Sequence, residues 1–286
     1  MLLKKLAIGK DFAQKSIFEH FMKLSIITIN YNNRDGLRKT IESVVNQTCR
    51  DFEYIIIDGG STDGSVDVIK QYADRIDYWV SEPDKGIYNA MNKGIAVAHG
   101  EYLNFMNSGD CLHCMDTIAD VLPLLVGKDF YVGDIVNESN GRRDVVKFPR
   151  DLSPKTIVDQ IVFRLIPHQA SFIRKSLFKK FGNYREDLRI ASDWYFFYRT
   201  LVMNGASIEP LCRTIAIFDT TGISCTDSKR IDERTSSQDS MPCQQILYCF
   251  YRDNAEFVSA LKSTKIGYFL MRVYFFFYSH LSKNLK

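Results

Sequence analysis

Short apolar runs alternate with helical stripes from residue 24 onward. Residues 24–31 (LSIITINY) are almost wholly apolar, the pattern of a strand covered on both faces. The turn cluster NNRDG follows, and Leu37, Ile41, Val44 and Val45 then share one face of a helix. Residues 54–57 predict a second buried strand ending in DGGSTDG. A helix carrying Val66, Ile69 and Tyr72 leads to a third strand over 76–80. Residues 81–110 (SEPDKGIYNAMNKGIAVAHGEYLNFMNSGD) give a loop, a short helix, a strand and a turn. Ile87, Met91, Ile95 and Ala98 have the spacing of an amphipathic helix, Gly100 stops it, and 101–106 is a mostly apolar strand. This strand–helix rhythm predicts an α/β fold with a parallel sheet and right-handed crossovers.

Farther along, 115–125 reads as helical, 130–136 as a strand and 137–144 (NESNGRRD) as a polar excursion. Residues 166–173 (IPHQASFI) predict a strand that carries His168 and Gln169 toward the same end of the sheet. Leu177, Phe178 and Phe181 pack a helix closed by Gly182. Ser192 reads as an N-cap for a helix with Trp194, Phe197, Tyr198, Leu201 and Val202 on its apolar stripe and Gly205 at its end. Residues 207–219 are strand-like, 224–240 a polar loop that suits a lid or a solvated linker, and 244–261 a helix. The tail at 266–285 is densely aromatic, with Arg272 and His280 breaking apolar runs too short to span a bilayer. It suits an interfacial helix on anionic lipid or a helix docked on the domain.

At 286 residues, 45% apolar and 25% charged, the chain has the make-up of a globular protein with a full core. A net charge of +3 gives no argument for nucleic acid as a partner. Seven irregularly spaced cysteines suit a reducing cytosol better than a disulfide framework. Cys111 and Cys114 read as small apolar residues opening a helix rather than half a zinc site. No apolar core of signal-peptide length precedes a cleavage site. GxGxxG and GxxxxGK[ST] are both missing after the first strand, which removes the two commonest nucleotide loops.

Two acids stand out. Asp110 follows a strand where it should leave the sheet, and ligands of open α/β sheets bind beyond such ends. A carboxylate there is placed to hold a metal that neutralises a phosphate. Asp193 falls in the first turn of a helix, whose dipole favours its ionised form by about 0.3–1 kcal/mol. That suits a general base, and equally an ordinary acid complementing a helix start.

ITINYNN, IIIDGGSTDGS, the 81–110 stretch, HQASFIRK and SDW together resemble the family-2 glycosyltransferases with the GT-A fold, over residues 23–224. The branch they resemble is the bacterial exopolysaccharide, capsule and O-antigen type, including colanic-acid enzymes. The resemblance implies a Rossmann-like, mixed, mainly parallel sheet flanked by helices, with a C-terminal helical extension. It divides the chain into an N-terminal extension (1–22), a transferase domain (23–225), a mobile polar loop (226–242) and C-terminal helices (243–286). Within the domain, 23–110 would be the nucleotide half and 111–225 the acceptor half.

It also implies roles, position by position. Asn30, Tyr31, Asn32 and Gly60 would line the nucleotide pocket, and Asp58 would accept from the base ring. Lys85, Gly86 and Asn92 would border the ribose and diphosphate, beside Asn107 and Ser108. Asp110 would bind Mg²⁺ or Mn²⁺, Asp193 would be the catalytic base, and His168, Gln169 and Trp194 would lie toward the acceptor or the phosphates. The sequence departs from the family at Asn89, where relatives carry an acid, and in offering one carboxylate in NSGD. The implied reaction is inverting sugar transfer from a nucleotide-diphospho-sugar, by default UDP-linked, to a saccharide or lipid-linked acceptor. The implied setting is the cytoplasm, with peripheral contact on the inner face of its membrane. The alternatives are a degenerate nucleotide-sugar-binding or scaffold protein and a sugar nucleotidyltransferase.

Overall fold

Apolar residues in the first strands sort by parity, and the sort builds two cores. In β1 (Leu24–Asn30), Leu24 and Ile26 point to one face while Ile27 and Ile29 point to the other. β2 (Glu53–Asp58) repeats this, with Tyr54 and Ile56 joining the first face and Ile55 and Ile57 the second. Burying both faces requires helices on both. α1 (Arg34–Val45) covers the first through Leu37, Ile41, Val44 and Val45. It is joined there by α2 (Ser65–Gln71), through Val68 and Ile69. After β3 (Tyr78–Ser81), α3 (Ile87–Val97) covers the second face through Tyr88, Met91 and Ile95. A Cβ on Gly94 of α3 would lie 2.5 Å from Ile27 Cγ2, so the helix rests directly on β1.

The computed structural model describes residues 22–139, 141–163 and 166–220. Beyond β3 the strands are β4 (Tyr102–Phe105), β5 (Cys111–Leu112), β6 (Phe130–Ser139), β7 (Arg142–Val146), β8 (Ser171–Arg174) and β9 (Ile208–Asp219). The helices are α4 (Thr117–Val121), α5 (Pro154–Phe163), α6 (Ser176–Phe181) and α7 (Ser192–Phe197). The nine-stranded sheet runs β3-β2-β1-β4-β8-β6-β9-β5, with β7 on β6. β3, β2, β1 and β4 are parallel; β8 enters antiparallel to β4 and β6, and β9 returns parallel to β6.

Four local expectations change. Residues 166–173 are not one strand: His168–Ala170 is a 3-10 turn ahead of β8, with the Ala170 N–H (3.2 Å) and Ser171 hydroxyl (2.7 Å) donating to the Pro167 carbonyl. The polar excursion at 137–144 is a hairpin, β6 to β7, whose outer strand is exposed throughout and so shows no apolar alternation. The helix at 115–125 is confined to α4 and a 3-10 turn at Leu122–Leu124, where Pro123 interrupts. Ser192 is the first residue of α7 rather than its cap, and its buried hydroxyl has no hydrogen-bond partner among the described residues. Cys111 is buried in β5 and Cys114 is exposed beyond it, both as free thiols. Among the described residues no helix is long and apolar enough to cross a membrane. The expected N-terminal extension, polar loop and C-terminal helices lie outside the described residues.

Candidate active site

β1 has β2 on one side and β4 on the other, so the strand order reverses across it. The crevice beyond such a switch point is where open α/β sheets bind ligands. Predicted site residues cluster at its two ends.

At the β2 end, Asp58 is fully buried and its carboxylate is saturated. Oδ1 accepts from Asn30 Nδ2 (2.7 Å) and the Ser61 hydroxyl (2.6 Å); Oδ2 accepts from the Ser61 N–H (2.9 Å) and the Ser81 hydroxyl (2.6 Å). A carboxylate has about four acceptor positions, and all are spent inside the protein. Burial pushes the Asp58 carboxyl up, but the bonds from Ser61, Ser81 and Asn30 outweigh it and hold the group below the usual carboxylate range. Asp58, expected to meet the base ring, braces the ends of β1, β2 and β3. Gly60, at φ +81, carries the loop past the Pro83 nitrogen, which a Cβ would approach to 3.2 Å. Asn32 also has a positive φ, 47, fixed as its N–H donates to the Ser61 hydroxyl and its Oδ1 accepts from the Thr62 N–H. A strained non-glycine position of this kind points to a ligand-shaping role. Tyr31, just before it, is 65% exposed.

Lys85 and Gly86 open α3 at the same rim. The Lys85 N–H donates to Asn89 Oδ1, and the Gly86 N–H to Asp84 Oδ1. Asn89, the departure from the family acid, donates to Glu186 Oε2 (2.9 Å), and Asn92 donates to Glu186 Oε1 (2.9 Å). Those two bonds, Asn92 first, hold the Glu186 carboxyl below its ordinary value. A carboxylate is thus restored at this point from the other half of the domain. Asn92 also donates to the Tyr184 carbonyl and accepts from the Tyr184 N–H. It ties α3, where it was expected to border a ribose, to the loop at 184–186.

At the β4 end, Asn107, Asp110, His168 and Asp193 come together. Asp193 Oδ2 lies 3.1 Å from His168 Nδ1, and Asp193 Oδ1 accepts from the Tyr88 hydroxyl at 2.8 Å. His168 Nε2 lies 3.2 Å from Asn107 Nδ2. With the amide so placed, Nε2 accepts and Nδ1 donates to Asp193; full protonation of the ring requires the amide to turn its oxygen inward. Burial pushes the His168 ring down, but Asp193, and then Asp110, outweigh it and hold it above the usual histidine value. Burial pushes Asp193 up, but His168 and Tyr88 outweigh it and keep the carboxyl below its ordinary range. Burial and Asp193 raise Tyr88 well above an ordinary phenol, so it remains a donor. The Asp193 side chain keeps 18% of its surface open.

Asp110 Oδ1 accepts from the Asp219 N–H at 2.9 Å, across the sheet from the end of β9. Burial pushes its carboxyl up to about 7, with His168 opposing. Asn107 Oδ1 is buried without a hydrogen-bond partner among the described residues. Ser108 accepts from Asn33 Nδ2 at 3.2 Å through its carbonyl. Among the described residues no three or more His, Cys, Asp and Glu side chains gather into a cation cage. Gln169 is buried, with its carbonyl accepting from Asn104 Nδ2 at 3.0 Å. Trp194 belongs to the core, its indole N–H donating to the Ile161 carbonyl (2.7 Å) and its ring stacked on Tyr198. Tyr88, Asp84, Glu186 and Asp219 were missed: the first two stand in the 81–110 stretch without an assigned role, and the last two lie outside every motif quoted.

A model described as "Glycosyl transferase family 2" matches residues 25–182. An uncharacterized glycosyltransferase of Mycobacterium tuberculosis is 39% identical over 206 residues, covering 70% of this chain and 76% of that protein. A PGL/p-HBAD biosynthesis glycosyltransferase of Mycobacterium bovis is 34% identical over 179 residues, covering 60% and 67%. These relatives are mycobacterial and do not single out the exopolysaccharide or colanic-acid branch. S. aureus TarS 1–349 in complex with UDP is a similar solved structure, with TM-score 0.57 and 21% identity; it covers 69% of this chain, which spans 60% of that one. The mannosyltransferase PcManGT of Pyrobaculum calidifontis, in complex with GDP-Man and Mn²⁺, gives TM-score 0.52 and 18% identity, covering 68% and 56%. The present chain spans less than two thirds of either structure's length. The sheet is the GT-A-like α/β arrangement of these structures. Sequence match and sheet agree, and the chain belongs to glycosyltransferase family 2.

Proposed function

We propose that this nucleotide-sugar-dependent glycosyltransferase inverts the sugar it transfers, with Asp193 as general base, a UDP-linked donor, and a saccharide or lipid-linked saccharide hydroxyl as acceptor in cell-surface polysaccharide synthesis. The observation that carries the reading is that Asp193 and the Asn107–Asp110 turn meet at one imidazole, His168, at the switch point. The base and the diphosphate end then share a cleft. A low pKa keeps Asp193 ionised at neutral pH, as a base must be. It takes the acceptor proton as the hydroxyl attacks the anomeric carbon from the face opposite the leaving nucleotide. Tyr88 and His168 fix the carboxylate, whose side chain keeps 18% of its surface open. One carboxylate base and an in-line displacement invert the centre.

A divalent cation fits the residues present. Asp110 is buried and gains from positive charge, and Asn107, whose carbonyl accepts from the Asp110 N–H at 3.0 Å, carries a buried Oδ1 with no hydrogen-bond partner among the described residues. Asp110 would hold Mg²⁺ or Mn²⁺ together with substrate phosphates, as is common for Mg²⁺. When bound, the ion stabilises the charge that develops on the departing diphosphate. The UDP and UDP-GlcNAc complexes of TarS and the GDP-Man and Mn²⁺ complex of PcManGT support this reading of donor and cation. The domain at 23–225, with its nucleotide and acceptor halves meeting at Asp110, and membrane-surface contact by the C-terminal residues complete the proposal.

A degenerate, non-catalytic role draws on Asn89, but Glu186 returns a carboxylate to that place. The test is nucleotide release from a panel of UDP- and GDP-sugars with Mn²⁺ and saccharide acceptors. Asp193→Asn is expected to lower transfer by about 10²–10⁴-fold while donor binding survives. Undiminished transfer would remove Asp193 from its role.

A further inference from the structure

The far end of β6 is paired on both sides. On one side Asn137 and Glu138 face Phe218 and Asp219 of β9, and the Asp219 N–H donates to Asp110. On the other they face Asp144 and Arg143 of β7. β8 uses that second side of β6 only as far as Val132, opposite Ser171, directly after the turn that carries His168. The β6–β7 hairpin therefore extends this edge beyond the His168 turn. Arg143 stands roughly 10 Å from Asp219, two strand spacings, so the hairpin borders the Asp110 end of the cleft.

β7 is exposed throughout, and among the described residues its outer edge has no strand beside it. Residues 142–150 (RRDVVKFPR) hold four bases and one acid. Arg143 is taken by Glu138 at 2.8 Å and Arg150 by Asp134 at 2.6 Å. Arg142 and Lys147 are exposed and make no ion pair or hydrogen bond among the described residues. Between them Val145 and Val146 are 58% and 40% exposed. Charges on an edge strand commonly guard it against pairing with another, but a guard does not call for two valines in water. Apolar side chains among unpaired bases suit an anionic lipid surface, which takes both. The chain beyond 220 leaves from beside the hairpin, where the Thr220 N–H and hydroxyl both donate to the Glu138 carbonyl. Residues 257–286 hold Lys262, Lys265, Arg272, Lys283 and Lys286 and no acid. Like charge disfavours that segment, or the β7 of a second copy, as the cover of this edge, whereas an anionic bilayer attracts them all.

We propose that the outer edge of the β6–β7 hairpin rests on an anionic phospholipid bilayer, with Arg142 and Lys147 at headgroup phosphates and Val145 and Val146 at the acyl boundary. This contact would hold the Asp110 end of the cleft at the surface that carries the acceptor. It rests on the lipid-linked acceptor of the reading above.

The test is co-sedimentation of the full chain with phosphatidylcholine vesicles and with vesicles of equimolar phosphatidylcholine and phosphatidylglycerol, without nucleotide or acceptor. Wild type should bind the anionic vesicles far more tightly than the neutral ones. Arg142→Gln/Lys147→Gln should melt like wild type, because both side chains are exposed and unpaired. It should bind the anionic vesicles about thirtyfold more weakly, the combined worth of two bases at such a surface. Val145→Ser/Val146→Ser should weaken binding as well. Lys179→Gln/Lys180→Gln removes the same charge from the exposed side of α6 and should leave binding nearly unchanged. Wild-type indifference to phosphatidylglycerol, full binding by the hairpin variant, or an equal loss in the α6 variant overturns the proposal. So does a wild-type dimer, seen by sedimentation velocity, that the hairpin variant dissociates, since a second copy would then be the occupant. Nucleotide release with a water-soluble saccharide should be the same for wild type and the hairpin variant. Failure of both to turn over would refute the transfer reading, while vesicle binding alone decides the hairpin.

Discussion

Tyr88 shows how one hydroxyl tunes a base. Its 2.8 Å bond to Asp193 Oδ1 stabilises the charged form, which lowers the carboxyl pKa. Tyr88→Phe removes that bond and should raise the Asp193 pKa. The acid limb of kcat then moves to higher pH, while the Kd for UDP is unchanged. At neutral pH Asp193 stays ionised in the variant, so kcat there should change little and the acid limb carries the effect. A pH profile of kcat beside a UDP titration checks this: an unmoved acid limb would show that Tyr88 only fills space. Tyr88 was passed over in the sequence because Ile87, Met91 and Ile95 drew the stripe, and the phenol falls beside it. Its target is 105 residues away, and no local pattern reports such a partner.

At the scale of elements, the ends of β1, β2 and β3 are joined by Asp58 through Asn30, Ser61 and Ser81. Asp58→Asn puts an amide N–H where a donor already points, and should cost about 1–3 kcal/mol at pH 7. The folded pKa of Asp58 lies below its unfolded value, so this stability is present above the unfolded pKa, about 3.9. It is lost as pH falls through the folded value. Urea unfolding of both proteins should therefore show a gap at pH 7 that narrows below about pH 4. A gap that persists unchanged in acid would place the loss in packing. The strands and helices feeding this brace were legible because apolar parity and the 3.6-residue period are local signals. The 3-10 turn at His168–Ala170 was not, since IPHQASFI is apolar enough for a strand and only Pro167 marks the turn. The hairpin at β6 and β7 was missed for the opposite reason: its outer strand is exposed and polar.

For the whole molecule, the sheet brings together residues that the chain keeps far apart. β9 returns beside β6 and delivers the Asp219 N–H to Asp110, while the turn before β8 delivers His168 between Asp110 and Asp193. Both acids and His168 were evident in the sequence; that the imidazole links the two acids became evident only once the sheet was closed. That convergence implies a single cleft in which the acceptor attacks opposite the leaving diphosphate. The anomeric configuration of the product, read by proton NMR with an α-linked nucleotide sugar as donor, tests it most directly. A β-linked product is predicted. An α-linked product would contradict the account, because retention needs a second displacement for which the site offers no assigned nucleophile.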